Sequence, residues 1–464
     1  MKKIYISVFF IFLFSILFLL KIKTVEAAGT LYADINLSSN CTSGNYSIAN
    51  RNCTGTNGNA YKMVKDAIAA AAVGDTLLVR GGTYREIVIQ STSPVRSSSF
   101  EFNKSMTIKG YSSETATLTY DPNNLPHEDA EKGPIIKVPA SGVTIENLTI
   151  IGTYSLGDNP TLDTDINIWT DSANITIRNN KILQFGHCGV KGTLPGLILE
   201  HNEIANGGFT SRDHGIYTYD QTATPKIIRY NNFHNIGGYG IQIYGYCTYY
   251  QVYNNLIHDN NEGGIVIAGD HISILNNSIY HNGQTSTSQW GGQGRLNFFH
   301  TGLFSIVVKN NIIWNNAAAN LNTGPDNLTQ VGNIYANNII GGTLPNWWTS
   351  LATNTIAVDP KFVNAPAFDY HLQSTSPAIN TGVNVGLTVD YAGTTIPQGS
   401  APDIGAYEFI IGGTPVPTPA TTPVPTPTPL PGDLNNDGKV DGIDYVLALL
   451  GNGDINIVIS NISK

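Results

Sequence analysis

The chain has 464 residues, 41% of them hydrophobic and 13% charged. The charged share is about half the usual ~25%, which excludes a coiled coil and a charged disordered chain. A net charge of -9 argues against a nucleic-acid partner, because neutralising phosphates needs an excess of Lys and Arg. The 47 Gly, 23 Pro and abundant Asn belong to a turn-rich all-β protein, and four Cys are too few for a disulfide scaffold.

Lys2 and Lys3 precede an apolar run from Ile4 to Leu20, and Val25-Glu26-Ala27 sets small residues before a cut after Ala27. This layout predicts a signal peptide over 1–27 and an extracellular protein, either released or held at the cell surface. The alternative is an uncleaved anchor, for which the run lies at the short end. Export makes disulfides available. Cys41 and Cys53 flank a Gly/Asn/Ser loop that a bridge would close, whereas Cys188 and Cys247 read as core thiols. Residues 28–75 read as a cap: a loop, then a helix over Ala60–Ile68 that covers an open sheet edge. Thr76–Val79 is the first strand expected after it.

From there the chain repeats itself. Ile175-Thr176-Ile177-Arg178-Asn179-Asn180 is echoed by Ile198-Leu199-Glu200-His201-Asn202, Ile227-Ile228-Arg229-Tyr230-Asn231-Asn232 and Gln251-Val252-Tyr253-Asn254-Asn255. Ile272–Asn277 and Ile306–Asn311 continue the series. The last Asn of each unit falls at 180, 202, 232, 255, 277 and 311, a period near 22 with insertions, as in a solenoid. Between these units run Gly189-Val190-Lys191, Gly215–Tyr219, Gly240–Tyr244 and Gly264–Ile267. Alternation sends Val190, Ile216, Ile241 and Ile265 inward. Asn at a repeated turn tolerates the left-handed conformation, and its amide can bond the Asn one coil away.

These units resemble the repeat of pectate-lyase-like and NosD-like secreted proteins. The resemblance implies an all-β fold, a right-handed parallel β-helix, with coils over 76–345. A second resemblance lies in Asp359–Val363, Tyr370-His371-Leu372, Ser376–Gly382 and Asp403–Glu408. These look like the terminal segment of secreted β-helix proteins described as carrying a choice-of-anchor domain. It implies a cap over the last coil within 346–410.

Residues 411–431 alternate Pro with Thr and Val and form an extended spacer. Beyond it Asp433, Asn435, Asp437, Lys439 (through its carbonyl), Asp441 and Asp444 have the ligand spacing of an EF-hand loop, with Gly438 at the sharp turn. Calcium is the cation expected there. The loop and the helix after it resemble the first repeat of a type I dockerin, which implies a cohesin-type partner. The second repeat of that module is not matched in 432–464.

Aligning coils on their glycines brings distant side chains together. Lys191, Tyr217, Gln242 and Val266 share one outward column, and Thr193, Tyr219, Tyr244 and Ala268 another. His187, Asp213, His214, Tyr239 and Glu262 stand just before the glycines. Neighbouring coils are ~4.8 Å apart, so these groups line one flank. Exposed Tyr on a rigid sheet stacks sugar rings, and equally covers a sheet. Three functions fit. A lyase acting on a uronate polysaccharide needs a base, and Lys191 or Arg212 serves once its proton is stripped by burial or neighbouring cations. In that reading Asp213, Glu262 and Asp270 hold calcium, and His187, His214 and Tyr217 move protons. A glycoside hydrolase would use Asp213 and Glu262, two coils apart. A non-catalytic carbohydrate-binding or adhesive solenoid needs neither. The expected state is a monomer.

Overall fold

A computed structural model of the chain describes residues 28–86, 100–119, 134–152, 166–208, 210–284, 296–299, 303–316, 332–342 and 344–410. The residues read as a signal segment (1–27), a spacer (411–431) and a calcium loop (433–444) therefore lie outside the described residues. Short strands repeat coil after coil and pair in parallel, within an 18-stranded and a 10-stranded sheet. This is the right-handed parallel β-helix that the resemblance implies. Ile177, Leu199, Ile228, Val252, Ile274 and Val308 are fully buried in successive coils, as are Val190, Ile216, Ile241 and Ile265. A single repeat cannot bury its apolar side chains alone, and stacking joins them into one continuous core. Two long strands, Tyr239–Tyr253 and Gly263–Leu275, bend round a corner and link two faces into one sheet.

The Asn repeat divides its labour between two adjacent positions. Asn180, Asn202, Asn231, Asn255, Asn277, Asn311 and Asn338 form a buried ladder in which each Nδ2 donates to the next Oδ1 at 3.0–3.1 Å. The ladder member in the third unit is thus Asn231, and the expected Asn232 is corrected by the strand register, which sets Arg229 opposite Glu200. The residue before each ladder Asn takes the left-handed conformation: Asn179, His201, Tyr230, Asn254, Asn276, Asn310 and Asn337 have φ between 49° and 57°. Asn suits that conformation better than an aromatic ring does. Where His201 and Tyr230 occupy it, their rings stack at 4.7 Å.

The coil stack begins earlier than its sequence pattern indicates, inside the segment read as a cap. Thr30–Ala33 already pairs in parallel with Asn59–Tyr61 and with Thr76–Val79, so the stack starts there. Pairing of Asn59–Tyr61 confines the helix to Val64–Ala70. Its first N–H groups, on Val64 and Lys65, donate to the Glu86 carboxylate at 2.6 and 2.8 Å. That carboxylate satisfies donors that a helix start leaves open. Cys41 and Cys53 are bridged, and Cys188 and Cys247 are free and buried.

The terminal segment does more than cover the last coil. The helix Asn346–Leu351 buries Trp348 against the coil end, but the chain then runs back along the stack. Asn254, Asn276, Asn310 and Asn337 donate their amides to Val389 O, Asp403 O, Val383 O and Thr381 O. The left-handed Asn residues are thus hooks, each holding the segment to its own coil. Among the described residues no helix is long and apolar enough to cross a membrane.

Candidate functional site

The register fixes which side chains meet on the long sheet. Trp169, Lys191, Tyr217, Gln242, Val266 and Asn297 stand opposite one another in six successive coils. The four positions expected in this column are confirmed, and Trp169 and Asn297 extend it at both ends. A parallel column before the glycines holds His187, Asp213, Gly238 and Glu262, as the backbone bonds from His214 to His187, Gly238 to Asp213 and Glu262 to Gly238 require.

At the meeting of these columns lies a chain of three titratable groups. Asp213 Oδ1 stands 3.2 Å from His187 Nδ1, and His187 Nε2 stands 3.2 Å from Lys191 Nζ. Asp213 Oδ2 accepts the Thr210 N–H at 2.7 Å, which fixes the carboxylate. All three side chains are nearly enclosed, with residue exposures of 5% for Asp213, 9% for His187 and 8% for Lys191. Burial disfavours the His187 imidazolium, but the Cys188 sulfur and the Asp213 carboxylate outweigh burial and the Lys191 charge. The ring is pushed up to about 10. Lys191 also lies over the Tyr217 ring, 5.4 Å from its centroid.

His214 is held differently. Its Nδ1 accepts the Tyr239 N–H at 3.1 Å, so a neutral ring carries its proton on Nε2. Burial, with His187 and Lys191 nearby, holds it well below the usual histidine range. Its ring lies 5.7 Å from Tyr217 and 6.0 Å from Tyr239, whose hydroxyl accepts from Asn297 Nδ2 at 3.2 Å. Tyr217, Tyr219, Tyr244 and Phe299 continue as rings 5.2–6.3 Å apart. The flank therefore combines a buried proton chain with an aromatic strip.

Two expectations need correction. Arg212 stands exposed on the turn before the strand His214–Thr218, two residues ahead of it, where its backbone N–H donates to Thr210 Oγ1. It lies at the rim, outside the proton chain. Asp213, Glu262 and Asp270 do not gather around a common point, and no group of three His, Cys, Asp or Glu side chains is placed for a metal ion among the described residues. Asp213 is turned to His187, and Asp270 pairs with His271 at 2.8 Å, round the corner. Glu262 is buried two coils from Asp213, with Gly238 between them. A Cβ at Gly238 would lie 2.3 Å from Asp213 O and 2.7 Å from His214 Nδ1, so the step between the two carboxylates stays bare.

The sequence reading missed Trp169, which lacks the leading Gly of the later coils. It missed Asn297 because residues 285–295 intervene. Both become legible once Ile168 and Leu296 are aligned with the inward residues Val190 and Ile265.

The model of the right-handed β-helix region matches residues 85–257 and 197–356. The chain belongs to the right-handed β-helix family. No curated protein sequence matches it. Among solved structures, pectate lyase Pel9A is similar at 14% identity with a TM-score of 0.47, over 83% of this chain and 97% of that one. ORF18 of Geobacillus virus E2 is similar at 13% identity and TM-score 0.42, over 64% and 56%. A double mutant of the periplasmic alginate epimerase AlgG is similar at 12% and 0.37, over 61% and 76%. At these identities the likeness is one of fold, and a β-helix hosts many chemistries. What this member of the family does rests on its own side chains.

Proposed function

We propose that the flank around Lys191 cleaves an acidic, uronate-containing polysaccharide by β-elimination. The observation that carries this reading is the Asp213–His187–Lys191 chain. The contact between Lys191 Nζ and His187 Nε2 holds one proton. When that proton rests on His187, stabilised by Asp213, Lys191 is a neutral amine, and rotation about its Cε–Nζ bond turns the single lone pair from His187 Nε2 toward the substrate. The amine then takes the proton from C5 of the uronate. The C5–H electrons form the C4–C5 double bond, and the C4–O bond breaks with its pair on oxygen. The departing oxygen takes a proton from His214 Nε2, whose ring lies beside Tyr217, or from the hydroxyl of Tyr239, whose ring lies beside His214. Arg212 at the rim meets the substrate carboxylate and lowers the cost of the carbanion-like transition state. Trp169, Tyr217, Tyr219 and Tyr244 stack the sugar rings, and Gln242 hydrogen-bonds hydroxyls. No step runs through calcium at this flank, because its carboxylates are not grouped to hold it.

The test is incubation with polygalacturonate and with alginate. Unsaturated uronate ends, seen by their ultraviolet absorbance, are expected from one of them and lost with Lys191→Met. The bare step at Gly238 favours one other reading. Asp213 and Glu262 flank it at roughly 9.6 Å between backbone positions, near the ~6.5–9.5 Å carboxyl spacing of inverting hydrolases. New reducing ends without that absorbance would select hydrolysis. Export of the chain, calcium at 433–444 and a cohesin-type partner belong to the same proposal on sequence alone. A calcium titration of the full chain, with and without Asp437→Ala, tests the loop.

A further inference from the structure

The ten-stranded sheet carries an aromatic column of its own. Its register sets His234, His258, Tyr280 and Trp314 opposite one another in successive coils. The first two rings stack at 5.1 Å with 3° between their planes, and Phe368 of the terminal segment packs against both. The last two line an open cleft of 610 Å³ whose other wall is the hairpin region around Asp359–Thr375. That volume falls within the ~300–1,000 Å³ of ordinary ligand sites.

The cleft is built in advance. Phe362 meets Tyr280 edge-on, 5.7 Å between centroids and 80° between planes. Asn315 Nδ2 donates to the Tyr280 hydroxyl at 3.0 Å, and Gln373 Nε2 to Phe362 O at 2.8 Å. Trp314 extends over the next coil, where the aligned residue is Gly341. A Cβ there would lie 2.8 Å from Trp314 Cε3, so the ring fills space that any side chain would take. Lys361 is exposed at the rim and touches Thr375 Oγ1 at 3.3 Å. Fixed rings beside amide, hydroxyl and ammonium groups match a pyranose, which has apolar faces and a polar edge.

We propose that this cleft binds pyranose rings of a uronate polymer, with Trp314 and Tyr280 as the stacking surface and Lys361 on a carboxylate. The polymer is thereby gripped on a second face of the coil, away from the Lys191 flank. The identity of the polymer rests on the functional reading above; the cleft itself does not. The test is native electrophoresis of the full chain through gels holding polygalacturonate or alginate, in a Lys191→Met background that leaves the polymer intact. Trp314→Ala is expected to weaken retardation about five- to tenfold, and Lys361→Glu, at an exposed position, about threefold. The second variant guards against misfolding of the first. Unchanged retardation in both variants, or no retardation in either polymer, overturns the proposal. Retardation that depends on Trp314 together with no cleavage by the wild type would remove the elimination reading and keep the cleft. Cleavage with retardation indifferent to both variants would do the reverse.

Discussion

Two buried lysines in neighbouring coils each belong to a cluster that contains an aspartate, and they are put to opposite uses. Lys226 is fully enclosed. Its ammonium donates to Thr222 O at 2.5 Å and Thr248 O at 3.0 Å and faces Asp220 Oδ2 at 3.3 Å. Two fixed carbonyls take two of its donors, the Asp220 carboxylate balances its charge at ion-pair distance, and the Tyr250 ring lies 5.2 Å away. Nothing there can accept or return a proton at neutral pH. Lys191 instead meets an imidazole, and beyond the imidazole a carboxylate. Both lysines are buried, and each cluster holds an aspartate. What separates a structural staple from a chemical centre is the partner: carbonyls use up a lysine's protons, whereas a histidine shares one.

The largest effect should come from replacing the two lysines in turn. Lys191→Met removes the base and is expected to slow elimination about 10²–10⁴-fold, with little change in the denaturation midpoint. Lys226→Met leaves Asp220 buried without its cation, which costs about 3–5 kcal/mol of stability. The rate per folded molecule should hold. Urea denaturation and the absorbance assay on both proteins decide the matter. A Lys226→Met protein that is fully stable but inactive would erase the distinction, as would a Lys191→Met protein that is active and unfolds early.

The same contrast explains what the sequence disclosed. The coil stack was legible because the 22-residue period forces apolar side chains into register, and the glycines aligned the columns correctly through four coils. The ladder was misplaced at one rung, Asn232 for Asn231, because a pair of identical residues hides which one the strand register selects. The proton chain was legible only as a neighbourhood. That His187 turns to Lys191 four residues on, and not outward, depends on side-chain directions at a corner, which no periodicity encodes. Arg212 and Lys191 looked equivalent as cations, and only the strand boundary at His214 separates rim from centre. Lys226 went unnoticed because a lysine at a strand end usually faces water. The hooks at Asn254, Asn276, Asn310 and Asn337 were equally hidden, since their partners lie 44–135 residues away in the chain.

The smallest effect, and the finest probe of the contrast, lies in alkaline solution. Asp213 and Cys188 raise His187 against the pull of burial, so the folded protein holds that proton more tightly than the unfolded chain. The stability it contributes is complete below the unfolded value of ~6.5 and is lost as pH climbs through about 10. Lys226 runs the other way. Burial lowers it despite Asp220, so the unfolded chain binds the extra proton, and stability rises with pH up to the unfolded lysine value of ~10.4. Asp213→Asn withdraws part of the support for the His187 imidazolium. Its deficit against wild type should be widest near neutrality and narrow toward pH ~10. The Lys226→Met deficit should widen over the same interval. Denaturation midpoints of the three proteins at the two ends of that range read the result directly. Deficits that move in the same direction would mean that the two clusters hold their protons alike, and the staple and the centre would then differ only in where they sit on the coil.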